Sequence, residues 1–111
     1  MTNLYEIALP TKANDGSDYA SALIAWEAKA LQRAGGFTRR PDGEGAWADQ
    51  AEASGPIKVY RDTMRPFRVA CEQAIMDDLL RDAFKLFPDQ LAIFVATIGT
   101  AEIVYRPGTK L

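Results

Sequence analysis

The chain has 111 residues, 48% hydrophobic and 25% charged, which is typical of one folded domain and excludes a disordered tail, a collagen-like chain and a coiled coil. A net charge of -2 provides no general attraction to phosphate backbones or anionic lipid. The absence of histidine removes the commonest metal ligand and acid–base catalyst, and a single cysteine excludes an intrachain disulfide. We therefore expect a single domain over residues 1–111.

The first third of the chain predicts a strand followed by a helix. Residues 4–9 alternate, with Tyr5, Ile7 and Leu9 on one side, which is typical of a half-buried strand. Apolar residues then recur at helical spacing and predict a helix over residues 18–34. Its expected cap is Ser17 or Asp18, and its expected stop is the Gly35-Gly36 pair that follows.

The middle of the chain predicts strands separated by loops. Residues 37–55 are rich in Gly, Asp, Glu and Ala, and only residues 45–49 around Trp47 indicate a strand. Residues 57–60 and 67–71 both alternate cleanly. The intervening residues 62–66 either turn between two short strands or bulge one long strand, and the sequence leaves this choice open.

The last third predicts a second helix and a final pair of strands. Two adjoining apolar rows begin near Glu72 and end before Pro88, supported by an Asp77–Arg81 pair four residues apart. Residues 91–98 are almost all apolar and predict a central strand. Gly99 then introduces either a turn or a bulge before an alternating run over residues 101–105.

The order of these elements predicts an α+β fold. We expect a two-layer ferredoxin-like (βαββαβ) sandwich, in which an antiparallel sheet carries two helices on one face. Right-handed crossovers place both helices on the same side of the sheet. The other face must then meet solvent, a ligand or another copy of the chain.

Three short motifs resemble those of a loose group of small uncharacterised α+β proteins from bacteria and bacteriophages. They are Gly35-Gly36-Phe37-Thr38 after the first helix, Gly45-Ala46-Trp47 in the following strand, and Phe87-Pro88-Asp89-Gln90 before the last apolar strand. The resemblance follows the order of most of the chain. It implies a ferredoxin-like fold, and it implies no activity or catalytic residues.

Arginines in the middle third are the main candidate for chemistry. Guanidinium groups on neighbouring strands could hold a carboxylate or phosphate through paired hydrogen bonds. The alternative is that they are solvated charges neutralised by nearby acidic residues. The predicted anion-binding set is Arg39, Arg40, Tyr60, Arg65, Arg68 and Glu72.

Other reactive residues have simpler interpretations. Cys71 follows apolar neighbours and is interpreted as a buried packing residue. Asp77, Asp78 and Asp82 are interpreted as a charged outer stripe of the second helix, and their spacing matches no calcium loop. The tryptophans Trp26 and Trp47 are interpreted as core or interface anchors. We expect no catalytic residue, no metal and no cofactor.

These observations favour a non-enzymatic accessory or binding protein that forms a homo-oligomer through its sheet. The resemblance adds an association with bacteriophages. One alternative is a small enzyme or ligand-binding domain that uses the arginines for an anionic metabolite, and a weaker one is nucleic-acid binding on the sheet face. The longest apolar run is too short to span a membrane and the first residues lack a signal-peptide pattern, so we expect a cytoplasmic protein without a membrane partner.

Overall fold

The computed structural model describes residues 1–49, 58–102, 104 and 106–108, with the backbone alone at Trp47, Asp49, Lys58 and Tyr60. Five strands and two helices follow one another along this part of the chain. They are β1 (Asn3–Pro10), α1 (Ala20–Ala34), β2 (Thr38–Arg39), β3 (Gly43–Asp49), β4 (Lys58–Cys71), α2 (Gln73–Leu86) and β5 (Phe94–Thr100).

The strands form one antiparallel sheet in the order β2-β4-β1-β5, with β3 also paired to β4. Directly opposed residues share a face, and the opposed pairs Tyr5–Val69 and Ile7–Phe67 are buried. Both helices cover that face, with buried residues such as Trp26 from α1 and Leu79 and Met76 from α2. The predicted two-layer ferredoxin-like fold, with two helices on one face of an antiparallel sheet, is therefore confirmed.

The helix α1 begins two residues later than the sequence predicts. The Asp18 carboxylate accepts the backbone N–H of Ala20 at 3.0 Å, whereas the Ser17 hydroxyl donates to Asp15. Asp18 thus satisfies one of the N–H groups that the first turn leaves without a partner. The predicted stop is present, because Gly35 takes a left-handed conformation with φ of 83° and its N–H donates to the Leu31 carbonyl at 3.0 Å.

The strand β4 is continuous through the segment that the sequence left open. Its register runs without a break opposite β1 from Met64 to Cys71, so residues 62–66 form neither a turn nor a bulge in this strand. The Pro66 carbonyl accepts the N–H of Arg40 at 2.8 Å. In an antiparallel pair the backbone nitrogen and the carbonyl of one residue face the same neighbour, so the missing N–H of Pro66 also falls on this side. The interruption in strand pairing therefore lies in the neighbouring segment and not in β4. There β2 ends at Arg39, and β3 begins at Gly43 with its register opposite β4 displaced by one residue.

The outer parts of β3 and β4 extend beyond the rest of the sheet. The β1 pairing ends at Pro10 opposite Met64, and within the described residues positions 58–61 of β4 pair with positions 46–49 of β3 alone. We call these residues the β3–β4 arm. The radius of gyration is 16.1 Å. A compact chain of this length has a value of about 13 Å, so the molecule is elongated. Ile57, predicted to start the strand, lies outside the described residues.

The strand β5 corrects the prediction of a central strand. It lies at the edge of the sheet, and the side chains of Phe94 and Ile98 are 62% and 46% exposed. Within this apolar run Val95 packs against the core, whereas the adjacent Phe94 does not. Gly99 makes no turn, since β5 continues to Thr100 with a register shift opposite Leu4 and Tyr5. Of the run over residues 101–105, positions 103 and 105 lie outside the described residues.

Candidate anion-binding site

Two of the predicted arginines lie on the face of the sheet that carries the helices. Arg39 is opposite the buried Phe67, and its guanidinium Nε donates to the Glu27 carboxylate of α1 at 2.7 Å. Arg65 donates to both carboxylate oxygens of Asp42, from Nε at 2.7 Å and from a terminal amino group at 3.2 Å. This bidentate contact lowers the pKa of the Asp42 carboxyl and raises that of Arg65.

Two other arginines line one concavity on the opposite face, which we call the open face. Arg68 lies between Glu6 of β1 and Thr38 of β2 in the register of the sheet, and its Nε donates to Glu6 Oε1 at 3.2 Å. Arg40 follows β2, and Arg40 and Arg68 both line a concavity of about 640 Å³ at the end of α1. We call this the Arg40–Arg68 concavity.

The remaining two predicted residues lie elsewhere. Tyr60 is in the β3–β4 arm, opposite Trp47 in the register, and its side chain is outside the described part of the structure. Eight residues of extended strand separate Tyr60 from Arg68, which is a distance of roughly 26 Å. Glu72 lies at the start of α2, and its carboxylate accepts a hydrogen bond from the Met1 ammonium group at 2.9 Å. The six residues therefore divide into groups. Arg39 and Arg65 share a network of charges with Glu27 and Asp42 on the helix-covered face. Arg40 and Arg68 line one concavity, and Tyr60 and Glu72 lie apart from both pairs.

Sequence reasoning missed a polar cluster at the end of α2. The Asp89 carboxylate accepts hydrogen bonds from the Asn14 backbone N–H at 2.6 Å, from the Tyr19 hydroxyl and from Gln90 Nε2 at 3.1 Å. These donors lower the pKa of Asp89, whereas burial and the neighbouring carboxylate raise the pKa of Tyr19 to about 12. The cluster joins the loop before α1 to the loop after α2, and the Tyr19 ring packs on Phe87 with ring centroids 4.8 Å apart.

The acidic residues of α2 also differ from the predicted outer stripe. Asp82 is 9% exposed and faces α1, where it accepts a hydrogen bond from Arg33 Nε at 2.7 Å. Arg81 contacts Asp78 at 2.9 Å rather than the predicted Asp77. The buried Asp82 carboxylate therefore links α2 to α1. Within the described residues, no three His, Cys, Asp or Glu side chains lie close enough together to hold a metal ion.

Cys71 ends β4 on the face that packs against the helices. Its side chain is 5% exposed. Burial raises the pKa of its thiol, and the adjacent Glu72 carboxylate raises it further. A raised pKa keeps the group a neutral thiol, which is the less nucleophilic form.

Solved structures with this fold include proteins from distant organisms. The divalent cation tolerance protein Cut A1 from Thermus thermophilus is 17% identical to this chain, with a TM-score of 0.64 over 94% of this chain and 88% of its own. CutA1 from Oryza sativa is 12% identical, with a TM-score of 0.62 over 93% of this chain and 83% of its own. A Bacillus cereus protein related to NIF3 is 6% identical, with a TM-score of 0.62 over 91% of this chain and 26% of its own.

At these identities the similarity is one of fold. The chain is therefore a small α+β protein of the same ferredoxin-like architecture as the CutA1 proteins. No protein-family model matches the chain, and no curated protein matches it in sequence. Neither described helix has the length and apolar character needed to cross a membrane.

Proposed function

We propose that this protein is a non-enzymatic accessory or binding protein that acts as a homo-oligomer, with its copies joined through the sheet. The β3–β4 arm is the observation that carries this proposal. A two-stranded hairpin is at best marginally stable in water, because it has no third strand or helix to cover its residues. Val59 in the arm is 58% exposed, so this apolar side chain is mostly left uncovered by the part of the chain that the structure describes.

The opposite edge of the sheet offers a second surface of the same kind. β5 is an edge strand, and an exposed edge is a template for pairing with another chain. Its exposed Phe94 and Ile98 add apolar area at that edge. An arm at one end and an apolar edge at the other are features that a second copy of the same chain would cover.

The arginines support an accessory role over an enzymatic one. Arg39, Arg65 and Arg68 each contact a carboxylate of the same chain, so most of the cluster is occupied by internal ion pairs. The cytoplasmic location stays a proposal, and the association with bacteriophages rests on the sequence resemblance.

The mass of the intact chain in solution tests the proposal. Light scattering across micromolar concentrations should give a multiple of the 12.2 kDa chain mass. Val59→Lys, which places a charge on the arm, should lower that mass. Leu31→Lys is a matched control, because Leu31 on α1 is 55% exposed against 58% for Val59, and it should leave the mass unchanged.

A strict monomer at every concentration would refute self-association. Dissociation by Leu31→Lys without an effect of Val59→Lys would place the contact on the helices and refute the role of the sheet.

A further inference from the structure

The Arg40–Arg68 concavity combines charged and apolar walls. Arg40, Arg68 and the Thr38 hydroxyl supply polar groups, and Leu4 and Ala70 supply apolar ones. Its volume is about 640 Å³, and it is a shallow concavity open to solvent. A ligand here would meet hydrogen-bond donors and an apolar surface together.

The charges of the concavity favour an anion with a single charge. Arg68 contributes only its Nε to Glu6, and among the described residues Arg40 forms no ion pair. Two guanidinium groups and one carboxylate leave one positive charge in excess. Glu6 lies on the open face beside Arg68, so a second negative charge on a ligand would be repelled.

One local effect opposes an anion. The carbonyl groups at the C-terminal end of α1 approach the concavity at Gly35, and a helix end carries roughly half a negative charge. The one positive charge in excess from Arg40, Arg68 and Glu6 is larger than that partial charge. The binding energy therefore depends on the arginines and should be lost when one is neutralised.

We propose that the Arg40–Arg68 concavity binds an organic monocarboxylate with a small apolar body. The planar guanidinium groups match the two oxygens of a carboxylate, and Leu4 and Ala70 offer an apolar surface to the rest of the ligand. The concavity lies at the β2–β4 end of the open face, whereas Phe94 lies on β5 at the other edge. Ligand binding and self-association through β5 and the arm therefore occupy different surfaces.

The test is a titration of the full ¹⁵N-labelled chain with benzoate, followed by the backbone amide signals in NMR spectra. The amides of Gly35, Gly36 and Thr38 should shift saturably. Benzamide has almost the same shape and no charge, so it should produce little shift. Inorganic sulfate, a dianion at neutral pH, should bind more weakly than benzoate.

Two variants make the test specific. Arg40→Gln should weaken benzoate binding by about tenfold or more, since a hydrogen bond to a charged group is worth about 1.5–3 kcal/mol. Arg81→Gln removes the same charge from an exposed position on α2, where the side chain is 69% exposed, and should leave the affinity unchanged.

The proposal is overturned if benzoate and benzamide shift the same amides equally, if benzoate shifts none of them, or if Arg40→Gln binds benzoate as the parent protein does. Sulfate binding more tightly than benzoate would contradict the single-charge argument. Light scattering on the same samples separates this result from self-association, because Arg40→Gln should leave the mass unchanged.

Discussion

Replacing Asp89 with Asn should destabilise the protein in a pH-dependent way. The Asp89 carboxylate accepts hydrogen bonds from Asn14, Tyr19 and Gln90, and it is the group that joins the two loops. An amide keeps one acceptor oxygen and loses the charge. Charge-assisted hydrogen bonds contribute about 1.5–3 kcal/mol each, and partial exposure reduces that value. We expect a total loss of about 2 kcal/mol at neutral pH.

The direction of the pH dependence follows from the lowered pKa of Asp89. In the unfolded chain the Asp89 carboxyl has a pKa near 3.9. At that pH the folded protein still keeps Asp89 as a carboxylate. The contribution of Asp89 is therefore complete above about pH 5 and is lost as the pH falls through the folded pKa. The difference in unfolding free energy between the parent and Asp89→Asn should shrink accordingly.

Urea unfolding at one fixed protein concentration, repeated from pH 7 down to pH 3, measures this difference. A fixed concentration is needed because self-association adds to the apparent stability. Tyr19→Phe is the companion variant, since it keeps the ring against Phe87 and removes one donor to Asp89. An Asp89→Asn deficit that stays constant across the whole pH range would refute the assignment of Asp89 as the charged acceptor.

Four further variants test the packing of the helices and the end of α1. Trp26→Phe should cost about 2 kcal/mol in urea unfolding, about half from the indole N–H bond to the Leu79 carbonyl at 3.0 Å and half from the cavity left behind. Arg33→Gln should cost more than Asp82→Asn, because Arg33→Gln leaves the buried Asp82 carboxylate without its partner; equal costs would contradict this. Gly35→Ala should lower the unfolding free energy by about 1–2 kcal/mol, because φ there is 83°.

The sequence predicts the core of the sheet well because a buried face imposes a period of two. In β1 the alternation of Tyr5, Ile7 and Leu9 marks the buried side, and the structure buries all three. A register slip of one residue would expose every one of them, so this pattern is strongly constrained. The end of α1 at Gly35 is predictable for an equally local reason, since few other residues take a left-handed conformation easily.

The continuity of β4 was not predictable because it depends on a neighbouring strand. Pro66 normally indicates an interruption, and here the adjacent strand bends around it between Arg39 and Gly43. Contacts between residues far apart in the sequence could not be predicted for a similar reason. Asp89 and Asn14 are 75 residues apart, and no local pattern indicates that they meet.

The division of the arginines between the two faces of the sheet was partly predictable from the sequence. Arg65 and Arg68 are three residues apart on one strand, and an odd separation places two side chains on opposite faces. The structure shows this division, with Arg65 toward Asp42 and Arg68 toward Glu6. The partner carboxylates themselves required the tertiary structure.

Hydrogen exchange in the β3–β4 arm tests self-association through the sheet most directly. An uncovered two-stranded hairpin opens easily, so its amide hydrogens exchange rapidly. At high protein concentration the amides of residues 46–49 and 58–61 should exchange nearly as slowly as those of β1, and dilution or Val59→Lys should accelerate them. Rapid exchange of these amides at every concentration would contradict the account.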